Sequence, residues 1–227
     1  MFWVGGPGTI FVLLAFLLSI YAQNKVTAAY ERYARVANSR GLTGAETARA
    51  LLKQHGLHDV EVEMTRGRLT DHYDPRSKKV RLSPEIYHGT SLAALGIAAH
   101  ETGHAVQHSS AYAPLALRNA FVPVAQLGST LAWPLFVLGF AMSLPGLADL
   151  GIIFFLGAVL FQVITLPVEF NASARAIAML SNGNYLTQHE LKPVRSVLQA
   201  AALTYVAAAA TAVAQLIRLL LLRRSRD

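Results

Sequence analysis

The fold is decided by residues 124–168, which read VAQLGSTLAWPLFVLGFAMSLPGLADLGIIFFLGAVLFQVITLPV. Two apolar stretches in this segment, 124–144 and 150–168, are each close to the roughly 20 residues that a helix needs to cross the hydrocarbon core of a bilayer. Only residues 145–149 separate them. A linker that short predicts an antiparallel helical hairpin, which places the chain before it and the chain after it on the same side.

Two further apolar stretches, 4–22 and 201–222, bring the predicted membrane-spanning helices to about four. No basic segment precedes the first stretch and no small-residue cleavage site follows it, so we interpret it as a retained anchor and not as a signal peptide. The remaining segments are a polar region at 23–123, a second polar segment at 169–200 that is predicted to form a helix and a loop, and a basic tail at 223–227. The hairpin puts the two polar segments on one side, where their side chains are expected to meet.

Composition supports a membrane protein. Of the 227 residues, 53% are hydrophobic and only 15% are charged, whereas a soluble protein carries about a quarter of its residues as charge. The net charge is +7, but no glycine-arginine repeat or aromatic-basic motif accompanies the basic residues, which argues against nucleic acid and favours a lipid bilayer as the partner. The absence of cysteine excludes disulfides, thiolate-bound zinc and thiol nucleophiles.

The polar region at 23–123 predicts a small α+β arrangement. Its signals are the spacing of Thr43 and Glu46, which is that of a capping box, and two alternating apolar and polar runs typical of half-buried strands. The predicted elements are a helix from Thr43 to about Gly56, a strand over 60–64, a turn over 72–76, a strand over 79–83, a short helix opening at Pro84 and a helix over 92–108. The fold class is therefore predicted to be a mainly α integral membrane protein with a small α+β region.

The predicted helix over 92–108 contains His100-Glu101-Thr102-Gly103-His104, which fits the pattern H-E-x-x-H. Residues four positions apart project from one helical face, so the two imidazoles can bind one ion. Glu101 then lies near a metal-bound water and can act as the general base. The alternative is a helix with two interior histidines in ordinary hydrogen bonds. Two histidines and a glutamate on a buried helix need a compensating partner, however, and one Zn²⁺ per chain supplies it.

A catalytic zinc site needs a third protein ligand. The position ten residues after His100 is Ser110, so a spaced third histidine is absent, and the chain has neither a cysteine nor a Leu-Asp-Gly segment. A distant glutamate remains, and the candidates downstream are Glu169 and Glu190. Glu169 follows the third apolar stretch, where a carboxylate without a partner is costly, whereas Glu190 lies in a polar loop. Glu169 is therefore the predicted third ligand, beside the two histidines.

Several longer segments carry a family resemblance. They are residues 41–46 (GLTGAE), 71–76 (DHYDPR), 99–105 (AHETGHA), 165–173 (TLPVEFNAS) and 201–208 (AALTYVAA). On these segments the sequence resembles the YugP-type membrane zinc metallopeptidases over essentially its whole length. That group is in turn similar to the HtpX and CAAX-prenyl-protease branch of the glutamate-zincins. The resemblance implies a zincin-like catalytic region and a polypeptide substrate.

The resemblance also implies supporting residues. In the glutamate-zincins the third ligand belongs to Glu-x-x-x-Asp, and here Ser173 stands where that aspartate would be. Ser173 and Asn171 are therefore the residues expected to hydrogen-bond a metal ligand. A peptide substrate is expected along an edge strand ahead of the zinc helix, which assigns that role to Lys79, Val80, Arg81, Leu82 and Ser83. Hydrogen-bond donors for the developing oxyanion are sought among Tyr205, His72, Tyr73 and Arg175.

The predicted function is that of a membrane-embedded zinc metalloendopeptidase, which hydrolyses peptide bonds of membrane or membrane-proximal proteins through a zinc-activated water. One alternative is a non-catalytic scaffold protein with a structural metal, but such a site is closed by four ligands and only three good ones are present. The other is a site-2-like intramembrane protease, which needs the zinc helix to cross the bilayer. The helix over 92–108 is too short for that and has a polar end.

Charge also predicts an orientation. Lys25, Arg32 and Arg35 follow the first apolar stretch, and basic residues favour the cytoplasmic side, so the catalytic side is expected there. Four spans then put the basic tail at 223–227 on the opposite side, against the same rule. The expected location is a bacterial cell membrane.

Overall fold

The computed structural model describes residues 6–225 and confirms the predicted fold class. Its elements are α1 (Thr9–Tyr33), α2 (Gly44–Gln54), β1 (Glu61–Met64), β2 (His72–Asp74), β3 (Lys79–Leu82), α3 (Pro84–Tyr87), α4 (Leu92–Ser109), α5 (Ala113–Ala141), α6 (Pro145–Asn182) and α7 (Gln188–Arg224). Among the described residues, α1, α5, α6 and α7 are long and apolar enough to cross a membrane. Residues 4 and 5 of the first predicted stretch, and 226 and 227 of the predicted basic tail, lie outside the described residues.

The long helices extend well beyond the apolar stretches that predict them. The third stretch was expected to end at residue 168, but α6 continues through Glu169 to Asn182 without a break at Pro167. The alanine-rich sequence after Pro167 explains the continuation, because alanine has the highest helix propensity. An apolar stretch therefore marks the part of a helix suited to lipid and not its full length.

The chain forms two compact units. The first, called the apolar unit below, comprises residues up to 23, 116–167 and those from 204 onward. The second, the polar unit, comprises 24–115 and 168–203. The segment boundaries predicted from the sequence stay a prediction.

Within the apolar unit, α5 and α6 pack at backbone contact distance. A Cβ added to Gly151 would lie 2.6 Å from the backbone nitrogen of Phe136, and one added to Gly139 would lie 2.3 Å from that of Ala148. Small residues permit this approach, which gives van der Waals contact where lipid supplies no hydrophobic driving force. Phe136 and Ala148 also belong to a buried apolar cluster with Ile152 and Leu219.

The polar unit contains a three-stranded sheet in the order β1-β3-β2. β1 runs parallel to β3, with Glu61 opposite Lys79, and β2 runs antiparallel to β3, with Tyr73 opposite Val80. The side chains of Val80 and Leu82 are fully buried. They pack in one apolar cluster with Ile86 of α3 and with alanines of α4, including Ala94 and Ala98.

The prediction that residues 79–83 form an edge strand is wrong. Lys79, Val80, Arg81 and Leu82 form β3, which is the central strand, so its backbone groups are already paired with β1 and β2. The backbone N–H of Ser83 is also engaged, because it donates to Oδ1 of Asp71 at 2.7 Å. The cause of the error is β2, which spans only His72–Asp74 in a segment that was predicted as a turn. Three residues are too few to show the alternation of a strand.

The helix that carries the predicted zinc motif is buried on most sides. Ser91 caps α4, since its hydroxyl accepts a hydrogen bond from the backbone N–H of Ala94. Leu95 and Ala99 of α4 lie in a buried cluster that also contains Leu180 of α6 and Val194 of α7. The capping box predicted at Thr43 and Glu46 is likewise present at the start of α2. α4 is therefore fixed in place by its apolar surroundings.

Candidate metal centre

Three side chains converge at the middle of α4. His100 and His104 lie one helical turn apart, with ring centroids 4.8 Å from each other. Oε2 of Glu169 on α6 lies 3.3 Å from Nε2 of His100 and 3.6 Å from Nε2 of His104. Exposure of these side chains is only 14%, 12% and 4%, respectively. The structure thus brings together the three residues predicted as metal ligands.

Close packing of α4 on α6 accounts for this meeting. A Cβ added to Gly103 would lie 2.8 Å from the backbone oxygen of Ala172, so only glycine allows the two helices to approach so closely. Val168 and Ala172, on either side of Glu169, are completely buried. The glycine of the H-E-x-x-H segment therefore determines how near Glu169 comes to the histidines.

The donor set fits a metal ion of the zinc type. The ligand atoms of His100, His104 and Glu169 all lie within 4.8 Å of one another. Two imidazole nitrogens and a carboxylate oxygen can each offer a lone pair, so one cation can bind all three at once. Two histidines and one carboxylate are also a ligand set that catalytic zinc uses in proteins.

The electrostatics of His104 agree with this requirement. Burial by itself would lower the pKa of His104, but the hydrogen bond with Glu169 and the negative charges of Glu101 and Glu169 outweigh burial and raise that pKa. The surroundings of this imidazole therefore stabilise a positive charge, which a proton or a metal ion can provide.

Glu101, unlike Glu169, does not face the two histidines as a ligand. Glu101 is 8% exposed, and no group among residues 6–225 donates a hydrogen bond to its carboxylate. Its charge acts on Asp71 and on His104, which places it beside the three converging ligands. A buried carboxylate with open acceptor positions is suited to take up a proton.

The supporting residues expected from the resemblance lie close by. The hydroxyl of Ser173 is 3.2 Å from Nδ1 of His100. Asn171 accepts a hydrogen bond from Nε2 of Gln107 at 3.0 Å, and Gln107 in turn contacts Nδ1 of His104 at 2.9 Å. Ser173 therefore contacts a predicted ligand directly, whereas Asn171 does so through Gln107.

The four residues considered as oxyanion donors are scattered. Arg175 donates through Nε to Asn171 at 2.8 Å, and its guanidinium lies 5.9 Å from the ring centroid of Tyr112. His72 is exposed on β2, with Nδ1 2.7 Å from the backbone oxygen of Thr70. Tyr205 lies on α7, in the part of the chain that belongs to the apolar unit.

Tyr73, the fourth of these residues, forms a hydrogen bond between its hydroxyl and Nδ1 of His108 at 2.8 Å. Burial, together with the charges of Asp59 and Asp74, raises the pKa of Tyr73 to about 12. The phenol thus stays protonated at neutral pH, and its bond to His108 ties β2 to the end of α4.

Glu190, the other glutamate considered as a ligand, serves a different purpose. Its carboxylate accepts hydrogen bonds from the backbone N–H groups of Ser39 and Thr187. It caps the start of α7 in this way, and the cluster of metal-ligating groups does not include it.

Sequence reasoning missed two residues near the site, the buried Gln107 and the half-buried Asp71. Gln107 is completely buried, and the signal for it is a glutamine three residues after the second histidine on a buried helix. Asp71 accepts hydrogen bonds from the backbone and hydroxyl of Ser83. Burial raises the pKa of Asp71 although these hydrogen bonds act in the opposite sense, and the charge of Glu101 adds to the rise. The sequence signal for Asp71 is that it begins the segment 71–76, one of the segments that carry the family resemblance.

Known proteins are similar to this chain along nearly its whole length. Residues 8–224 match a protein family described as "Putative neutral zinc metallopeptidase". A protein of Bacillus subtilis (strain 168), described as "Putative membrane protease YugP", is 48% identical over 214 residues, which cover 94% of this chain and 95% of that protein. No solved structure matches this chain.

Proposed function

This chain belongs to the family of neutral zinc metallopeptidases, and from that premise we propose that it is a membrane-embedded zinc metalloendopeptidase. Its substrates are membrane or membrane-proximal proteins. One observation carries the proposal: Nε2 of His100, Nε2 of His104 and Oε2 of Glu169 face one another, with the buried carboxylate of Glu101 beside them.

Each of these residues has a role in the proposed reaction. His100, His104 and Glu169 hold one Zn²⁺ per chain, a gluzincin-like set made of H-E-x-x-H and a distant glutamate. When bound, zinc acts as a Lewis acid that polarises the scissile carbonyl and lowers the pKa of a water ligand. Glu101 accepts the proton of the attacking water at its carboxylate and passes it to the nitrogen of the leaving peptide.

We place the substrate along β2 instead of β3. β2 lies at an edge of the sheet, and an extended peptide can add to an edge strand through main-chain hydrogen bonds with little demand on its sequence. Tyr73 of β2 is bonded to His108 of α4, so this edge is held against the helix that carries the two histidines. β1 is the other edge strand, and within residues 6–225 no side-chain hydrogen bond joins it to α4.

The membrane supports the choice of substrate. The four apolar helices indicate an integral membrane protein, and α6 carries both a candidate span and, farther along the same helix, Glu169. We propose a bacterial cell membrane, since the Bacillus subtilis relative is described as a membrane protease. The catalytic side is proposed to face the cytoplasm because Lys25, Arg32 and Arg35 follow the first apolar stretch.

The two alternative functions lack a supporting observation. A structural zinc needs four ligands, whereas the cluster found among the described residues has three. An intramembrane protease needs α4 to span the bilayer, and α4 is not among the candidate spans.

The test uses the purified full chain in detergent. Zinc content is measured by mass spectrometry, and cleavage is measured on an unfolded protein and on a peptide library, for the wild-type chain and for Glu101→Gln. We expect one zinc per chain in both and a loss of cleavage of at least about 100-fold in the variant. Undiminished cleavage by Glu101→Gln contradicts the role of Glu101, and a wild-type chain that binds no zinc contradicts the metal centre.

A further inference from the structure

We propose that Gln107 is a positioning residue, which fixes the imidazole of His104 in the tautomer that a metal ion requires before any metal binds. The proposal rests on the metal centre of the proposed function and adds to it a residue outside the ligand set. Gln107 follows His104 by three positions on α4, so both project from the same face. Its side chain is completely buried, and a buried amide needs hydrogen-bond partners of matching polarity.

The first step is the amide nitrogen of Gln107. It donates to the backbone oxygen of Val168 at 2.8 Å and to Oδ1 of Asn171 at 3.0 Å. A backbone oxygen can only accept, so the group of Gln107 that faces Val168 must be the NH₂ group. Both hydrogens of that group are thereby used on α6.

The second step is Asn171, whose own orientation is determined by Arg175. Nε of Arg175 lies 2.8 Å from Oδ1 of Asn171. A guanidinium has donors only, so the atom of Asn171 that faces it must be the oxygen. The same oxygen faces Gln107. Val168 and Arg175 therefore impose the same orientation on the amide of Gln107 from two directions.

The third step is His104. With its NH₂ group turned to α6, Gln107 presents Oε1 to Nδ1 of His104 at 2.9 Å. That oxygen can only accept, so Nδ1 carries a proton. Whenever the ring is neutral, its lone pair is therefore on Nε2, the nitrogen left for a metal ion. Nε2 is the atom that faces Glu169. Arg175 thus fixes the orientation of the Asn171 amide, which agrees with that of the Gln107 amide, and Gln107 in turn fixes the proton position on His104.

Gln107 also relates the two helices that carry the ligands. Its partners Val168 and Asn171 lie one residue before and two residues after Glu169. A single side chain therefore orients His104 and holds the segment of α6 from which Glu169 projects. Hydrogen-bonded partners of metal ligands typically change metal affinity about 10- to 100-fold when they are removed.

The experiment compares two replacements of Gln107 in the full chain in detergent. Gln107→Leu removes the acceptor and the donors, whereas Gln107→Glu keeps an oxygen for Nδ1 of His104 and loses only the donors. We expect Gln107→Leu to weaken zinc binding about 10- to 100-fold, measured by competition with a chelator, and Gln107→Glu to stay within about 3-fold of wild type or to bind more tightly. A purely structural residue would instead lose affinity equally in both variants, which would overturn the proposal.

Nitrogen NMR of the zinc-free protein provides a direct readout. The shifts of the His104 ring are expected to show a proton on Nδ1 in wild type and in Gln107→Glu, in the neutral ring as well as in the charged ring that Glu169 favours, and a mixture of tautomers in Gln107→Leu. A neutral wild-type ring whose only proton is on Nε2 would overturn the proposal. If Gln107→Leu does not fold, Asn171→Asp and Asn171→Leu replace it, because aspartate keeps both acceptor contacts and leucine keeps neither. Retained affinity in the first and lowered affinity in the second is the expected result, and equal affinity in both contradicts it.

The outcome is separable from that of the proposed function. A wild-type chain that binds zinc but cleaves no peptide contradicts the peptidase and leaves the difference between the Gln107 variants intact. A wild-type chain that binds no zinc overturns both.

Discussion

The two histidines of the proposed metal centre have different hydrogen-bond partners. His104 faces Gln107, an amide whose orientation is imposed by groups of fixed polarity. His100 faces the hydroxyl of Ser173 at 3.2 Å, and a hydroxyl can donate or accept as it rotates. The fold therefore fixes the tautomer of the His104 ring, and it does not fix that of the His100 ring. We therefore expect His104 to be oriented for a metal ion before binding, whereas Ser173 does not fix the tautomer of His100.

The largest expected effect comes from the carboxylate that both histidines share. Replacing Glu169 with glutamine removes the charge that faces both imidazoles and should weaken zinc binding by more than about 100-fold. Competition with a chelator measures the loss. Glu190→Gln is the matched control, because that carboxylate caps α7, and it should leave zinc affinity unchanged. Equal losses in both variants would remove Glu169 from the ligand set.

A steric change should disturb both histidines together. A methyl group at Gly103 meets the backbone of Ala172 at 2.8 Å, so Gly103→Ala forces α4 and α6 apart and should cost about 1–3 kcal/mol of stability. Thermal unfolding and zinc affinity are the measurements. Gly146→Ala is the control, since a Cβ at Gly146 has no heavy atom within 4 Å. A Gly103 variant with wild-type stability would show that the helices pack less tightly than described.

Two substitutions of Ser173 should change how firmly the tautomer of His100 is fixed relative to that of His104. Ser173→Asp should reduce this difference and Ser173→Ala should increase it. Ser173→Asp gives His100 a charged acceptor of fixed polarity, and we expect zinc binding up to about 10-fold tighter. Ser173→Ala removes a contact that is already long and should weaken binding by less than about 10-fold, which is less than Gln107→Leu. A larger loss for Ser173→Ala than for Gln107→Leu would reverse the comparison.

The edge strand offers a change that should leave both histidines unaffected. Tyr73→Phe deletes the hydrogen bond to His108, which is worth about 0.5–1.5 kcal/mol. We expect a rise in KM for peptides of a few fold, with zinc affinity at the wild-type value. Altered zinc affinity would mean that β2 supports the metal centre itself and not only the substrate.

The smallest effect concerns pH. Since the pKa of Asp71 is raised in the folded state, its protonated form adds stability below the unfolded pKa of about 3.9, and that contribution is lost as pH rises through the folded pKa. Asp71→Asn removes this loss, so its melting temperature should fall less than that of wild type as pH rises from about 4 toward neutrality. Parallel melting curves for the two proteins over this range would contradict a raised pKa.

Sequence patterns correctly predicted the features that depend only on neighbouring residues. Thr43 with Glu46, and Ser91 before α4, are helix starts that need only neighbouring residues, and both are present. Glu169 was chosen by eliminating other ligands, and it lies beside the histidines because Gly103 permits the approach. Its role as a ligand stays a prediction.

Other features depend on packing that no local pattern carries. β2 was missed because three residues are too few to show a strand's alternation of apolar and polar side chains. Without β2, the strand over residues 79–83 was wrongly predicted to lie at the edge of the sheet. Gln107 finds its partners more than 60 residues away on α6, at Val168 and Asn171. Such a network becomes visible only when the helices are placed side by side.

Because the proposed ligands lie on both α4 and α6, they are synthesised at different times. His104 precedes Glu169 by 65 residues (169 minus 104), so a ribosome completes both histidines well before the carboxylate. A nascent chain with two histidines alone lacks the third ligand of a catalytic site. We therefore expect the proposed peptidase to gain activity only when α6 has been made and packed against α4.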